Sequence, residues 1–143
     1  MIKVILIDLD HTFWEFNSFD SEKKNLEQLK QSLYAESIEC VHLLKNKGYK
    51  VGFASASYNK DLCVEYLKML FPVDYIDFIF IEATFPTKKK HYEYVSSRFG
   101  VEFSEMLMID DTREILLDAS IHGLNIIDAG EKGLTKKIIK HIL

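Results

Sequence analysis

The chain has 143 residues, 48% of them hydrophobic and 28% charged, with a net charge of -4. That is one domain's length with an ordinary globular balance, which argues against a disordered chain. It carries no basic surplus for nucleic acid, the Lys88-Lys89-Lys90 run being too short to supply one, and no apolar stretch near the ~20 residues of a membrane span.

The first expected strand runs from Ile2 to Ile7, nearly all apolar and without alternation, as in a strand covered on both faces. It ends at Asp8, too soon for an export signal. Cys40 and Cys63 fall in helical segments and read as small buried apolar side chains, so a reducing cytoplasm is the expected home. The segment from Phe13 to Tyr34 is irregular: Phe13, Trp14, Phe16 and Phe19 come first, then a charged stretch from Ser21 to Lys30 with the look of a short helix.

From Ser37 to Lys47, Ile38, Val41 and Leu44 recur at helical spacing, and Gly48 follows as a stop. A second strand is expected from Lys50 to Ser55. Asn59 then has the chemistry to cap a helix carrying Leu62, Tyr66, Leu67 and Leu70, which Pro72 ends. A third strand is expected over Phe78 to Ile81, and a helix through Tyr92, Val95 and Phe99 up to Gly100. A fourth strand follows over Met106 to Ile109, then a helix through Ile115, Leu116 and Ala119 stopping at Gly123. A fifth strand over Leu124 to Ile127 leads to a last helix near 136–143. Alternating strands and helices predict an α/β fold, a three-layer, doubly wound, mostly parallel sheet in a single domain over 1–143.

Ligands of such sheets bind beyond the carboxyl ends of the strands. The sequence places Asp8, Asp10 and Thr12 after the first strand, Ser55 after the second, lysines 88–90 after the third and Asp110-Asp111 after the fourth. Each has a plain structural alternative: Asp turn bonds, a small residue in a tight turn, a solvated lysine face, a helix cap. Their coincidence at successive strand ends argues for more. An oxygen nucleophile, a hard-cation site and donors for phosphoryl oxygens are what phosphoryl transfer requires.

Asp8-Leu9-Asp10-His11-Thr12 resembles the D-x-D-x-T signature of the haloacid dehalogenase superfamily, with Ser55, Lys88 and Asp110-Asp111 similar to its second, third and fourth motifs. Extended through Phe13-Trp14, with Ala54-Ser55-Ala56-Ser57, the Lys88, His91, Tyr92 pattern and the stretch from Gly100 to Asp111, it resembles the capless magnesium-dependent phosphatase group. The resemblance implies a Rossmann-like core and a phosphatase of phosphoproteins, phosphotyrosine among them, or of sugar phosphates. It implies Asp8 as nucleophile forming an aspartyl-phosphate, and Asp10 as acid and base. It further implies Ser55 and Lys88 on the phosphate, and Mg²⁺ held by Asp8, Asp10 through its main-chain carbonyl, Asp110 and Asp111. Lys88 is preferred over Lys89 and Lys90 because it keeps the spacing to His91. His11 and Trp14 are expected either over the substrate or, for Trp14, in the core and, for His11, in a solvent-facing turn; Tyr58 and Asn59 are expected at the entrance.

Between Thr12 and Ser55 lie 42 residues, and between Ser55 and Lys88 lie 32. Expected helices and strands fill much of both intervals, so no cap domain is predicted, only a flap over about 13–32. Two other classes compete. A response-regulator receiver needs its phospho-accepting Asp on the central strand, which is missing here. A phosphate-binding or regulatory domain of the same fold, without turnover, is the other.

Overall fold

The computed structural model describes residues 1–19 and 22–143. Five strands form a single parallel sheet in the order β3-β2-β1-β4-β5. They are β1 (Val4–Ile7), β2 (Lys50–Ser55), β3 (Phe78–Ile81), β4 (Met106–Asp110) and β5 (Asn125–Asp128). The helices are α1 (Leu26–Gln31), α2 (Ser37–Asn46), α3 (Lys60–Leu70), α4 (Lys89–Phe99), α5 (Arg113–Ile121) and α6 (Lys136–Ile139). The sheet is parallel throughout rather than mostly so.

β1 is central and fully buried, which is why its sequence does not alternate. Its side chains still divide between two cores, because successive residues of a strand point to opposite faces. Ile5 and Ile7 join Val51, Phe53, Leu107 and Ile109 against side chains of α1, α2, α3 and α6. Val4 and Leu6 join Ala54, Met106 and Met108 against Tyr92 and Val95 of α4 and Ala119 of α5. Helices cover both sides, giving the three layers expected.

Element ends differ from the sequence reading in a few places. β4 extends to Asp110, β5 starts at Asn125, and the last helix is α6 followed by a 3₁₀ turn over Lys140–Ile142. Asn59 precedes α3 but its side chain makes no cap bond; its amide donates to the Ser18 carbonyl at 3.4 Å instead. α4 stops at Gly100, whose φ of 63° suits a residue without a Cβ. Of the expected flap, Phe13, Trp14 and Leu29 are core residues, and Asp20 and Ser21 lie outside the described residues. Among the described residues no helix is long and apolar enough to cross a membrane.

Gly52 in β2 lies so close to β3 that an added Cβ would meet the Phe78 carbonyl and ring. Gly52→Ala is therefore expected to destabilise the fold by about 1–3 kcal/mol, as overpacking does. Urea unfolding measures it, and an unchanged midpoint would show that β3 yields without strain.

The strand order sets up the site. From β1 the chain moves outward through β2 to β3, then returns to the other flank for β4 and β5. The crevice of such a sheet opens where that direction reverses, at the carboxyl end of β1. Ile7 pairs with both Phe53 and Ile109, so Asp8, Ala54 and Asp110 leave the sheet side by side.

Candidate active site

The turn after β1 is drawn tight by one acceptor. The Leu9 carbonyl receives the N–H groups of Thr12, Phe13 and Trp14 at 2.9–3.2 Å, and His11 takes a φ of 60°. Histidine is among the few residue types other than glycine found with some regularity in that region. The turn carries Thr12 back over the strand end, where its hydroxyl lies 3.1 Å from Asp8 Oδ2 and 3.2 Å from Asp111 Oδ1.

Lys88 immediately precedes α4 and is 2% exposed. Its ammonium reaches Asp8 Oδ1 at 2.9 Å, Asp110 Oδ2 at 2.8 Å and the Ala54 carbonyl at 2.8 Å. Three hydrogens meet three acceptors, so the group is fully engaged. Lys89 and Lys90 are exposed. Asp110 Oδ1 also accepts the N–H of Thr112 at 2.9 Å, which fixes the head of α5.

Charge is the dominant feature. Asp8, Asp110 and Asp111 offer carboxylate oxygens lying within 4.8 Å of one another. Burial raises the pKa of Asp8 to about 6, with Lys88 opposing and Asp111 adding to the rise. Burial also raises Asp110 to about 6, reinforced by Asp8 and opposed by Lys88. Asp111 is raised by burial as well. Burial works against the charge of Lys88, but the flanking Asp8 and Asp110 outweigh it and hold the ammonium above its ordinary pKa.

One buried cation among three carboxylates leaves negative charge uncompensated, and an all-oxygen donor set of this kind fits a hard divalent ion such as Mg²⁺. A carboxyl group with a raised folded pKa stabilises the fold below its unfolded pKa, and that contribution is lost as pH rises through about 6. The metal-free fold therefore carries its full carboxylate repulsion at pH 7.5, where an ion held by these groups would relieve it most. At pH 5 the ion must displace protons first. Mg²⁺ is expected to stabilise the fold by about 2.7 kcal/mol at 100 times its Kd where the site is ionised, and so to raise the melting temperature more at pH 7.5 than at pH 5. Equal shifts at both pH values, or none, would show that these carboxylates are not the ion's ligands.

Asp10 is turned differently. Its Oδ1 accepts the Trp14 indole N–H at 2.8 Å and its Oδ2 accepts the Ser18 hydroxyl at 3.0 Å, so its carboxylate is outside the three-carboxylate group. Trp14 departs from one expectation: it is fully buried, stacked on Phe16 with centroids 4.9 Å apart, and touches Asp10 rather than the cleft. His11 is exposed and lines the cleft.

Ser55 is buried at the end of β2, where its Oγ accepts the Ser57 N–H at 3.1 Å and keeps its own hydrogen to give. The Ser55 carbonyl lies 2.7 Å from His91 Nε2, which must carry hydrogen to bond there. Burial lowers the His91 pKa to about 4, so the ring is neutral. These groups face a cleft of about 350 Å³ floored by Asp8, Ser55, Lys88 and Asp110, with Phe19, Tyr58 and Phe85 at its mouth. The three aromatic side chains are 64%, 76% and 60% exposed. Ser18, which donates to Asp10, is the neighbour of the candidate site that sequence reasoning missed.

The sheet order, the crevice at its switch point and the acidic group around a buried lysine are those of a phosphatase of the haloacid dehalogenase type. A family model described as Acid Phosphatase matches residues 1–143, and the chain belongs to that family. It is 26% identical over 136 residues to human magnesium-dependent phosphatase 1, spanning 87% of this chain and 76% of that protein. The fold is shared with a haloacid dehalogenase-like hydrolase of Porphyromonas gingivalis, with a TM-score of 0.69 and 16% identity over 99% of this chain and 98% of the other. It is shared also with an enzyme of that superfamily from Bacteroides thetaiotaomicron, solved with magnesium and inorganic phosphate. There the TM-score is 0.65 and identity 14%, over 90% of this chain and 94% of the other. The chain is thus a phosphomonoesterase with a capless core, no cap layer standing over the cleft among the described residues.

Proposed function

We propose that the chain hydrolyses phosphate monoesters with Mg²⁺ through an aspartyl-phosphate on Asp8, and that its substrates are aryl phosphates such as phosphotyrosine in a protein. The observation that carries this reading is Lys88, a buried ammonium held between Asp8 and Asp110 at the floor of an open cleft.

Asp8, Asp110 and Asp111, with the main-chain carbonyl of Asp10, would hold the ion. When bound, Mg²⁺ offsets the repulsion between a carboxylate nucleophile and a phosphate dianion. Lys88 keeps Asp8 ionised and oriented, and Ser55 donates to a phosphoryl oxygen. The Asp8 carboxylate bonds to phosphorus as the ester P–O bond breaks, and Asp10 gives its proton to the departing oxygen. Asp10 then takes a proton from the water that attacks phosphorus and releases Asp8 with inorganic phosphate. The aromatic mouth favours an aromatic leaving group over a sugar, whose hydroxyls would lie against Phe19, Tyr58 and Phe85. Free, buried Cys40 and Cys63 suit a reducing cytoplasm.

Asp10→Asn tests the scheme. It is expected to lower kcat on phenyl phosphate by about 10²–10⁴-fold, the span of a positioned general acid, and less on p-nitrophenyl phosphate, whose leaving group needs no proton. Equal losses on the two esters would remove Asp10 from the acid role. A kcat/KM for glucose 6-phosphate above that for a phosphotyrosine peptide would reverse the substrate assignment.

A further inference from the structure

We propose that Trp14 and Ser18 are positioning residues for the reaction, clamping the two oxygens of Asp10 so that its carboxyl plane is fixed toward the leaving group before substrate arrives. The proposal rests on the acid–base role of Asp10 given above.

Two independent donors approach one carboxylate. Trp14 Nε1–H reaches Oδ1 at 2.8 Å and Ser18 Oγ reaches Oδ2 at 3.0 Å. The donors differ in kind. An indole N–H gives one hydrogen and accepts none, so Oδ1 is an acceptor throughout the reaction. The proton that Asp10 delivers must therefore ride on Oδ2. Ser18 faces that oxygen, and a hydroxyl can give or receive. It is backed by Ser57, whose Oγ is 2.6 Å from Ser18 Oγ and also accepts the Asn59 N–H at 3.0 Å. The serine pair can thus donate toward Oδ2 or turn away from it, without leaving a buried hydroxyl unpaired.

Rigidity comes from packing. The Trp14 ring is fully buried, stacked on Phe16 and edge-on to Tyr66 at 5.7 Å. Ser18 is fully buried too. A phenylalanine would satisfy the same stack, so packing alone does not call for the indole nitrogen. Side chains held this way keep a reacting group near its productive geometry, where small displacements cost large factors in rate.

The test is a mutant cycle with a spectroscopic readout. Trp14 is the only tryptophan, so a ¹H–¹⁵N spectrum of the chain holds one indole N–H signal. That signal is expected to move in Asp10→Asn, where a carboxylate acceptor becomes an amide. Trp14→Phe and Ser18→Ala are each expected to lower kcat on phenyl phosphate about tenfold, the worth of one hydrogen bond to a charged group, with KM unchanged. Ser18→Thr, which keeps a hydroxyl, should restore most of the loss. On an Asp10→Asn background neither substitution should cost anything further, because the group they hold is already disabled. Equal losses on both backgrounds, or an unmoved indole signal, would overturn the clamp and leave Asp10 its role. Equal effects of Asp10→Asn on phenyl and p-nitrophenyl phosphate would instead remove that role. Should Trp14→Phe fail to fold, the Ser18 arm decides the cycle by itself.

Discussion

Asp8→Asn is expected to bring hydrolysis of p-nitrophenyl phosphate down to background while leaving the fold intact. The substitution keeps size and shape. An amide cannot form an acyl phosphate at a useful rate, so the proposed covalent step stops. The surroundings adapt readily: the amide oxygen can face the Lys88 ammonium, and the amide N–H₂ can face the Thr12 hydroxyl, which turns to accept. Asp8 is also one of three crowded carboxylates, and burial holds its pKa near 6, so losing its charge relieves repulsion. Melting in excess chelator should therefore be no lower than wild type. Retention of more than about a hundredth of wild-type turnover, a barrier change under about 3 kcal/mol, would exclude Asp8 as nucleophile.

Lys88→Met should abolish activity and destabilise the metal-free protein as well. Methionine fills much of the same volume, so the loss is electrostatic. Asp8, Asp110 and the Ala54 carbonyl all lose their donor, and two buried carboxylates remain side by side. Removing one partner of a buried ion pair costs about 3–5 kcal/mol, which a melting curve in chelator will show. Added Mg²⁺ should recover part of that stability but no turnover, since it does not replace the ammonium that orients Asp8. Lys89→Ala and Lys90→Ala provide the contrast. Both side chains are exposed, and Lys90 only approaches Glu82 at 3.4 Å, so each should change activity a few-fold at most. A larger loss in either would move the functional lysine along the chain.

Which parts were legible in the sequence follows from which forces are local. The apolar run before Asp8 announces a strand buried on both faces, and polar residues at successive strand ends announce a crevice. Helical spacing in α3 and α4 is visible because burial repeats along one face. Asp10 was legible as a residue but not in its orientation, since Ser18 and Ser57 meet only after 39 positions of chain have folded back. Nothing near Ser18 marks it: a serine among polar and aromatic residues looks like any loop serine. Trp14 carried two readings because the same ring serves a core or a substrate, and only burial decides. Asn59 had the right chemistry for a cap, yet Ser18 claimed its amide from outside the helix. The choice of Lys88 came from spacing to His91, and the ion pairs give that spacing a physical meaning.

The cleft mouth at Phe19, Tyr58 and Phe85 lies open, with no second layer over it among the described residues. An enzyme with a lid times its chemistry by a hinge. Under the proposed aspartyl-phosphate scheme the substrate would be its own stopper. While the ester is in place its leaving group would fill the mouth and keep bulk water from the phosphorus during the proposed transfer to Asp8. Once the alcohol departed the way would be clear, and water would enter for the second half of the cycle. The bulk of the departing group, a part of the substrate that takes no share in the bond making, would thereby become a clock for the sequence of steps.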